Sequence, residues 1–140
     1  MQLHTCKAGT ANWLQKFYEI TGYKGTFIEG DDLYYAEDDG LKLGVVRISK
    51  EHDISVLRGM YILSPYQGKG IGTKLLEYIE PMLCCEPVYC IPKDHLINFY
   101  GKVGFRVIEP TDAPGFLVER LNSYIEKNLK VLIMKRDNAS

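Results

Sequence analysis

The sequence predicts an α/β protein: a mixed, mostly antiparallel sheet with helices on both faces. Three observations carry that prediction. Three strand-like runs follow one another in the first half: Leu33–Glu37, Leu43–Ile48 and Ile54–Leu63. The second half alternates short apolar runs with helical spacing, as strand, helix, strand, helix, strand. Between the halves, a strand runs into a glycine-rich turn that opens a helix. A meander followed by a strand–helix–strand crossover implies a mixed sheet covered by helices. The strand before Gln67 and the one at Val88 are expected to be parallel neighbours, joined right-handedly. Ligands of open α/β sheets sit beyond the carboxyl ends of such strands, where the glycine turn lies.

Taken in order, Thr10 to Ile20 places Trp13 or Leu14, Phe17 and Ile20 on one side, an amphipathic helix with Thr10 as candidate cap. Gly22 and Gly25 end it, and Asp31-Asp32 reads as a turn. Asp38-Asp39-Gly40 is a hairpin signal between the first two strands. Gly59, inside the third strand, suggests a bulge. Ile71, Leu75, Leu76 and Ile79 recur at helical spacing in a helix from Gly70 to near Pro81, with Glu77 and Glu80 facing solvent. Pro87–Ile91 reads as a buried strand. A helix from His95 to Val103 follows, with Asp94 as N-cap and Gly104 as its left-handed stop. Phe105–Ile108 is a strand, Phe116–Asn128 a helix and Leu129–Lys135 the last strand; the tail from Arg136 to Ser140 reads as frayed.

Length and composition set bounds. One domain over residues 1–140 is expected. Seventeen basic residues against eighteen acidic ones give a net charge of −1, with no basic footprint for nucleic acid or an acidic membrane. No apolar run approaches the roughly 18 residues of a membrane span. Met1 to Lys7 lacks the apolar core of a signal peptide, so a soluble cytoplasmic protein is expected. Cys6, Cys84, Cys85 and Cys90 show no zinc spacing and read as reduced thiols, and no metal is expected.

Gln67-Gly68-Lys69-Gly70-Ile71-Gly72-Thr73 has three glycines in five residues. A glycine-rich turn that opens a helix exposes backbone N–H groups without intrahelical partners, at the positive end of the dipole. Those features suit a diphosphate. Neither the G-x-x-x-x-G-K-[ST] string nor the G-x-G-x-x-G fingerprint is present. Gln67-x-x-Gly70-x-Gly72 does match the [R/Q]-x-x-G-x-[G/A] signature, and here the chain resembles the GCN5-related N-acetyltransferases, the GNAT family. Asn98-Phe99-Tyr100-Gly101-Lys102-Val103-Gly104-Phe105 resembles that family's second signature, about 30 residues on. The resemblance covers roughly residues 10 to 135, with a shortened N-terminal region and an inserted helix before the last strand.

The resemblance implies acetyl-CoA as cosubstrate and two strands splayed around its pantetheine arm. Gln67 through Thr73 would meet the pyrophosphate, and Met60 and Ile62 would pair with pantetheine as if it were a strand. Asn98 would reach the pantetheine amides and Lys102 the adenosine phosphates. Tyr100 would protonate the departing thiolate, because negative charge develops there in a partly dry cleft. The family's glutamate near the start of the central strand maps to Val56, so that base is absent. Glu29, Glu37, His52 and Asp53 are the other candidates for a base. Tyr35, Arg58, Tyr66 and Tyr89 are candidate acceptor residues, each also explicable as packing, and Arg58 could pair with an internal glutamate. The function implied is acetyl transfer to a primary amine of a small molecule, by direct attack in a ternary complex. A non-catalytic acyl-CoA sensor of the same fold and a nucleotide-binding module are the rivals; a homodimer stays open.

Overall fold

Alternation of apolar and polar side chains turns most of the first eighty residues into sheet. The computed structural model describes residues 1–137. The chain divides into two compact units, Met1–Pro81 and the residues from Met82 onward. The first holds β1 (Gln2–Lys7), α1 (Leu14–Thr21), β2 (Asp32–Asp38), β3 (Leu41–Glu51), β4 (Ile54–Ile62) and α2 (Ile71–Ile79). Its strands pair in chain order, each antiparallel to the next.

Both faces of this sheet are covered. Leu14, Phe17 and Tyr18 of α1 pack with Leu33 and Val45 in one core. On the other face the rings of Tyr78 in α2 and Tyr34 in β2 lie 6.2 Å apart, edge to face. The expected meander of three strands therefore has a fourth, β1. Thr10 is not a helix cap: Ala8–Thr10 forms a separate 3-10 turn, and the Thr10 hydroxyl donates to Lys7 O (2.8 Å). Helix α1 starts only at Leu14, after Trp13. Ile20, expected on the apolar side, is exposed. Asp31 closes the expected turn, its N–H donating to Ile28 O (3.1 Å), but it is buried, and Asp32 already begins β2. Glu77 faces solvent, whereas Glu80 is half-buried.

The expected bulge is present. Arg47 pairs with Arg58 and Val45 with Tyr61, so Gly59 and Met60 together span the place opposite Val46. Gly59 adopts φ +69°, as the left-handed residue of such a bulge does.

The second unit contains β5 (Val88–Cys90), α3 (Ile97–Gly101), β6 (Arg106–Val107), α4 (Gly115–Glu126) and β7 (Met134–Arg136). Strand β7 lies between β5 and β6, antiparallel to both. Val88, Cys90, Tyr100, Val103, Phe105, Leu117, Leu121, Ile133 and Met134 are buried. Asp94 does not cap α3; it opens a 3-10 turn, Asp94–Leu96, and its N–H donates to Lys130 O (2.9 Å). This turn shortens the expected helix. Gly104 adopts φ +94° as expected. The last strand begins five residues late, because Val131 makes only an isolated bridge with Lys93. Arg136 is not frayed: it ends β7 and donates to Val103 O (2.8 Å) and Leu83 O (2.9 Å). The rest of the expected frayed tail, beyond Asp137, lies outside the described residues. No helix among the described residues is long and apolar enough to cross a membrane.

Candidate functional site

The glycine turn follows β4 directly. A single 3-10 turn, Ser64–Tyr66, leads into it. Gly68 and Gly70 adopt φ of +76° and +82°, a region that side-chain-bearing residues enter at a cost. A Cβ at either would meet nothing within 4 Å, so the space over both is open. The turn geometry thus requires glycine, and the same glycines leave room for a ligand. Gly70 occupies the N-cap without offering a side chain, and the first turn of α2 carries no acidic residue. The leading N–H groups of α2 are therefore uncapped by any side chain, while Lys74 N makes the first intrahelical bond, to Gly70 O (3.0 Å). Buried Ile71 pins the helix start to the core. Gln67 to Gly70 are exposed; Gly72 and Thr73 are half-buried. Such an end favours an anion.

Gln67 departs from its expected part. Its N–H is spent on Ser64 O (3.3 Å), and its side-chain amide donates to Ile62 O (3.1 Å). It closes the turn onto the end of β4 and thereby places the donors that follow it. Lys69 Nζ lies 5.7 Å from the centre of the Tyr66 ring, so Tyr66 belongs to the turn.

In the second unit, Tyr100 is only 5% exposed and packs edge to face against Phe99 and Phe105. Burial, reinforced by neighbouring Cys90, pushes its pKa above the ordinary tyrosine value. The phenol stays protonated, as a proton donor must. Asn98 and Lys102 are exposed on the same helical segment.

The candidate acceptor residues do not form one cluster. Tyr35 packs edge to face on Trp13 at 4.9 Å and near His4, with Lys42 over its ring. Arg58 forms an ion pair with Glu51 (3.3 Å), the internal glutamate foreseen as its alternative. Tyr89 is buried in β5 beside Lys135. Among the proposed bases, Glu37 is held by Lys42 and His4, which pull its pKa down. His52 and Asp53 form the β3–β4 turn with φ of +51° and +62°. Five residues of strand, Ile54 to Arg58, separate that turn from Gly59, a span of about 20 Å from Asp53. Among the described residues no group of three or more metal-binding side chains exists.

The sequence reading missed Arg47. Its guanidinium is fully buried and donates to Asp31 Oδ2 (2.6 Å), Tyr23 Oη (2.7 Å), Tyr18 Oη (3.0 Å), Thr26 O (3.1 Å) and Ser49 Oγ (3.4 Å). Tyr18 in turn donates to Gly59 O (2.9 Å). The available signal was a cation within Leu43–Ile48, at the alternation position of Val45, which faces the core.

A profile described as an acetyltransferase (GNAT) domain matches residues 29–107, more than half of the chain. The chain belongs to the GNAT acetyltransferase family. It is accordingly an N-acyltransferase of the acyl-CoA-dependent type. Solved structures show the fold of this GNAT protein over its whole length. N-acetylglutamate synthase from Neisseria gonorrhoeae, complexed with coenzyme A and N-acetyl-glutamate, matches with a TM-score of 0.73 at 13% identity; the match covers 100% of this chain and only 36% of that one. The ribosomal-protein-S18-alanine N-acetyltransferase from Escherichia coli matches with a TM-score of 0.68 at 14% identity, covering 99% and 96%. An acyl-CoA N-acyltransferase from Pseudomonas aeruginosa matches with a TM-score of 0.66 at 17% identity, covering 97% and 99%. The fold class is therefore the mixed α/β acyl-CoA N-acyltransferase fold expected from the sequence.

Proposed function

We propose that this GNAT protein transfers an acetyl group from acetyl-CoA to the primary amine of a small molecule, in a ternary complex within a single cytoplasmic domain. The observation that carries this reading is the open, uncapped start of α2 immediately after the bulged strand β4. The N–H groups from Gly68 to Thr73 bind the pyrophosphate, with Lys69 beside them. Met60 and Ile62 present backbone to the pantetheine arm, and Asn98 and Lys102 contact the remainder of CoA. The amine nitrogen attacks the thioester carbonyl while a β4 N–H stabilises the oxygen that gains charge. As the C–S bond breaks, Tyr100 gives its proton to the departing sulfur.

A small-molecule acceptor fits a surface without a strong acidic charge, since a basic protein tail would call for one. The N-acetylglutamate synthase neighbour supports an amino acid as the type of acceptor, and the ribosomal-protein-S18-alanine N-acetyltransferase neighbour makes a protein the alternative to test. The experiment is a panel of amino acids, polyamines and N-terminal peptides with acetyl-CoA, read by release of free thiol. Amine-dependent release with small amines supports the proposal. Release with peptides alone would replace the acceptor, and tight CoA binding without any release would favour a sensor.

A further inference from the structure

We propose that Arg47 and Tyr18 are positioning residues that aim the Gly59–Met60 peptide of the β4 bulge at the reacting thioester. This inference rests on the acetyl-transfer reading above.

Arg47 is 0% exposed and Asp31 2%. Taking such a pair out of water costs several kcal/mol per ion, and well-packed apolar residues in its place are often neutral or stabilising. Fold stability alone therefore gives little reason for a cation here. Its hydrogen bonds indicate another use. A guanidinium has five N–H donors and no acceptor. The Nε donor meets Tyr18 Oη, the Nη1 donors meet Asp31 and Ser49, and the Nη2 donors meet Tyr23 and Thr26 O. Every donor is committed, so the guanidinium has one orientation.

That orientation passes to Tyr18. Because Arg47 can only donate, Tyr18 Oη accepts from it, and the phenol's own proton goes to Gly59 O at 2.9 Å. Burial keeps that proton in place by pushing the Tyr18 pKa up to about 12, although the nearby Arg47 charge pulls the other way. The peptide unit is planar and trans, so its C=O and N–H point in opposite directions. Fixing Gly59 O towards Tyr18 thus fixes Met60 N–H away from it. The bulge leaves Gly59 and Met60 without register partners across β3, where the regular ladder is interrupted.

Gly59 completes the arrangement. A Cβ there would lie 2.4 Å from Tyr18 Oη and 3.0 Å from both Arg47 Nε and Arg47 Nη2. The hydroxyl occupies the space that any other residue would need. Guanidinium, phenol and glycine form one device, and its output is the direction of one N–H group.

The test compares wild type with Tyr18→Phe and Arg47→Lys, measuring kcat, acetyl-CoA KM, melting temperature and hydrogen exchange at the Met60 amide. Tyr18→Phe removes one oxygen and keeps the ring. It is expected to keep acetyl-CoA KM within about twofold and to lower kcat by roughly 10- to 100-fold, part of the effect of losing an oxyanion donor outright. Met60 exchange should quicken about tenfold. Wild-type kcat and exchange in Tyr18→Phe would overturn the proposal. So would a fall in kcat explained entirely by loss of folded protein. Should Arg47→Lys fail to fold, Tyr18→Phe alone decides. If the wild type transfers no acetyl group to any amine, the functional reading fails, and Met60 exchange still decides the tether.

Discussion

Replacing Gly70 by glutamate separates two reasons for a glycine there. One is the backbone, at φ +82° and ψ 8°; the other is the open space above it. Gly22 supplies a matched control. It closes α1 at φ +86° and ψ 12°, a Cβ there would also meet nothing within 4 Å, and it stands at a helix C-terminus instead of an N-terminus. A side chain in the left-handed region costs about 1–2 kcal/mol at either place. At roughly 2.1 cal/mol/K per residue of unfolding entropy, that is about 3–7 °C of melting temperature for both variants. Acetyl-CoA at 100 times its dissociation constant should add about 2.7 kcal/mol, or about 9 °C, to the wild type. Gly22→Glu should keep that increment, and Gly70→Glu should lose it, because its side chain fills the cradle and its charge repels phosphate. The assay is thermal unfolding with and without acetyl-CoA. Equal ligand-induced shifts in the two variants would refute the cradle and leave Gly70 as a turn residue.

Other outcomes follow from the same structure. Tyr100→Phe should lower kcat by about 10²- to 10⁴-fold with little change in CoA affinity, measured by steady-state kinetics; unchanged turnover removes it from the mechanism. Since Tyr18 keeps its proton to about pH 12 when folded but only to about 10 when unfolded, its stabilising effect is full below pH 10 and is lost as pH rises to about 12. Urea unfolding across that window should lose about 2–3 kcal/mol more in wild type than in Tyr18→Phe, and equal slopes would contradict the burial argument. With Val56 in place of a carboxylate, kcat/KM should rise up to tenfold per pH unit through neutrality, following the free-amine fraction of an acceptor with pKa about 10.4. Alanine at His52 or Asp53 should cost less than about tenfold; a plateau below pH 7 that either substitution abolishes would reveal a base.

The parts of the fold that depend on local sequence were readable. The Asp39-Gly40 hairpin, the Gly59 bulge and the helix beginning after Gly70 all follow from residues with special backbone preferences. Strand β1 was not readable, because Gln2–Lys7 has no regular apolar alternation and becomes a strand through pairing with β2. Asp94 looked like a cap, but its backbone is taken by Lys130 from a distant segment. In the site, the glycine turn was legible because its chemistry lies in the backbone of consecutive residues. Arg47 was not, since its meaning lies in Tyr18, Tyr23, Asp31 and Gly59, which are brought together only by folding. Arg58 drew attention instead, and its guanidinium proved to face Glu51.

The extra residue in β4 also acts as a parity switch. Before it, Arg58 shares a cross-strand position with Arg47; after it, Tyr61 takes the position opposite Val45. Odd numbering replaces even numbering on the α1 side, so Tyr61 and Leu63 join the core of Tyr18 while Ile62 turns towards Gly44 and Ile71. If the full strand paired without the bulge, Met60 would take the place opposite Val45 and every later side chain would reverse: Ile62 would fall on the aromatic side, and Tyr61 would be driven against the methyl groups of Ile71. The strand would be more regular, and the turn that follows it would leave from the wrong face.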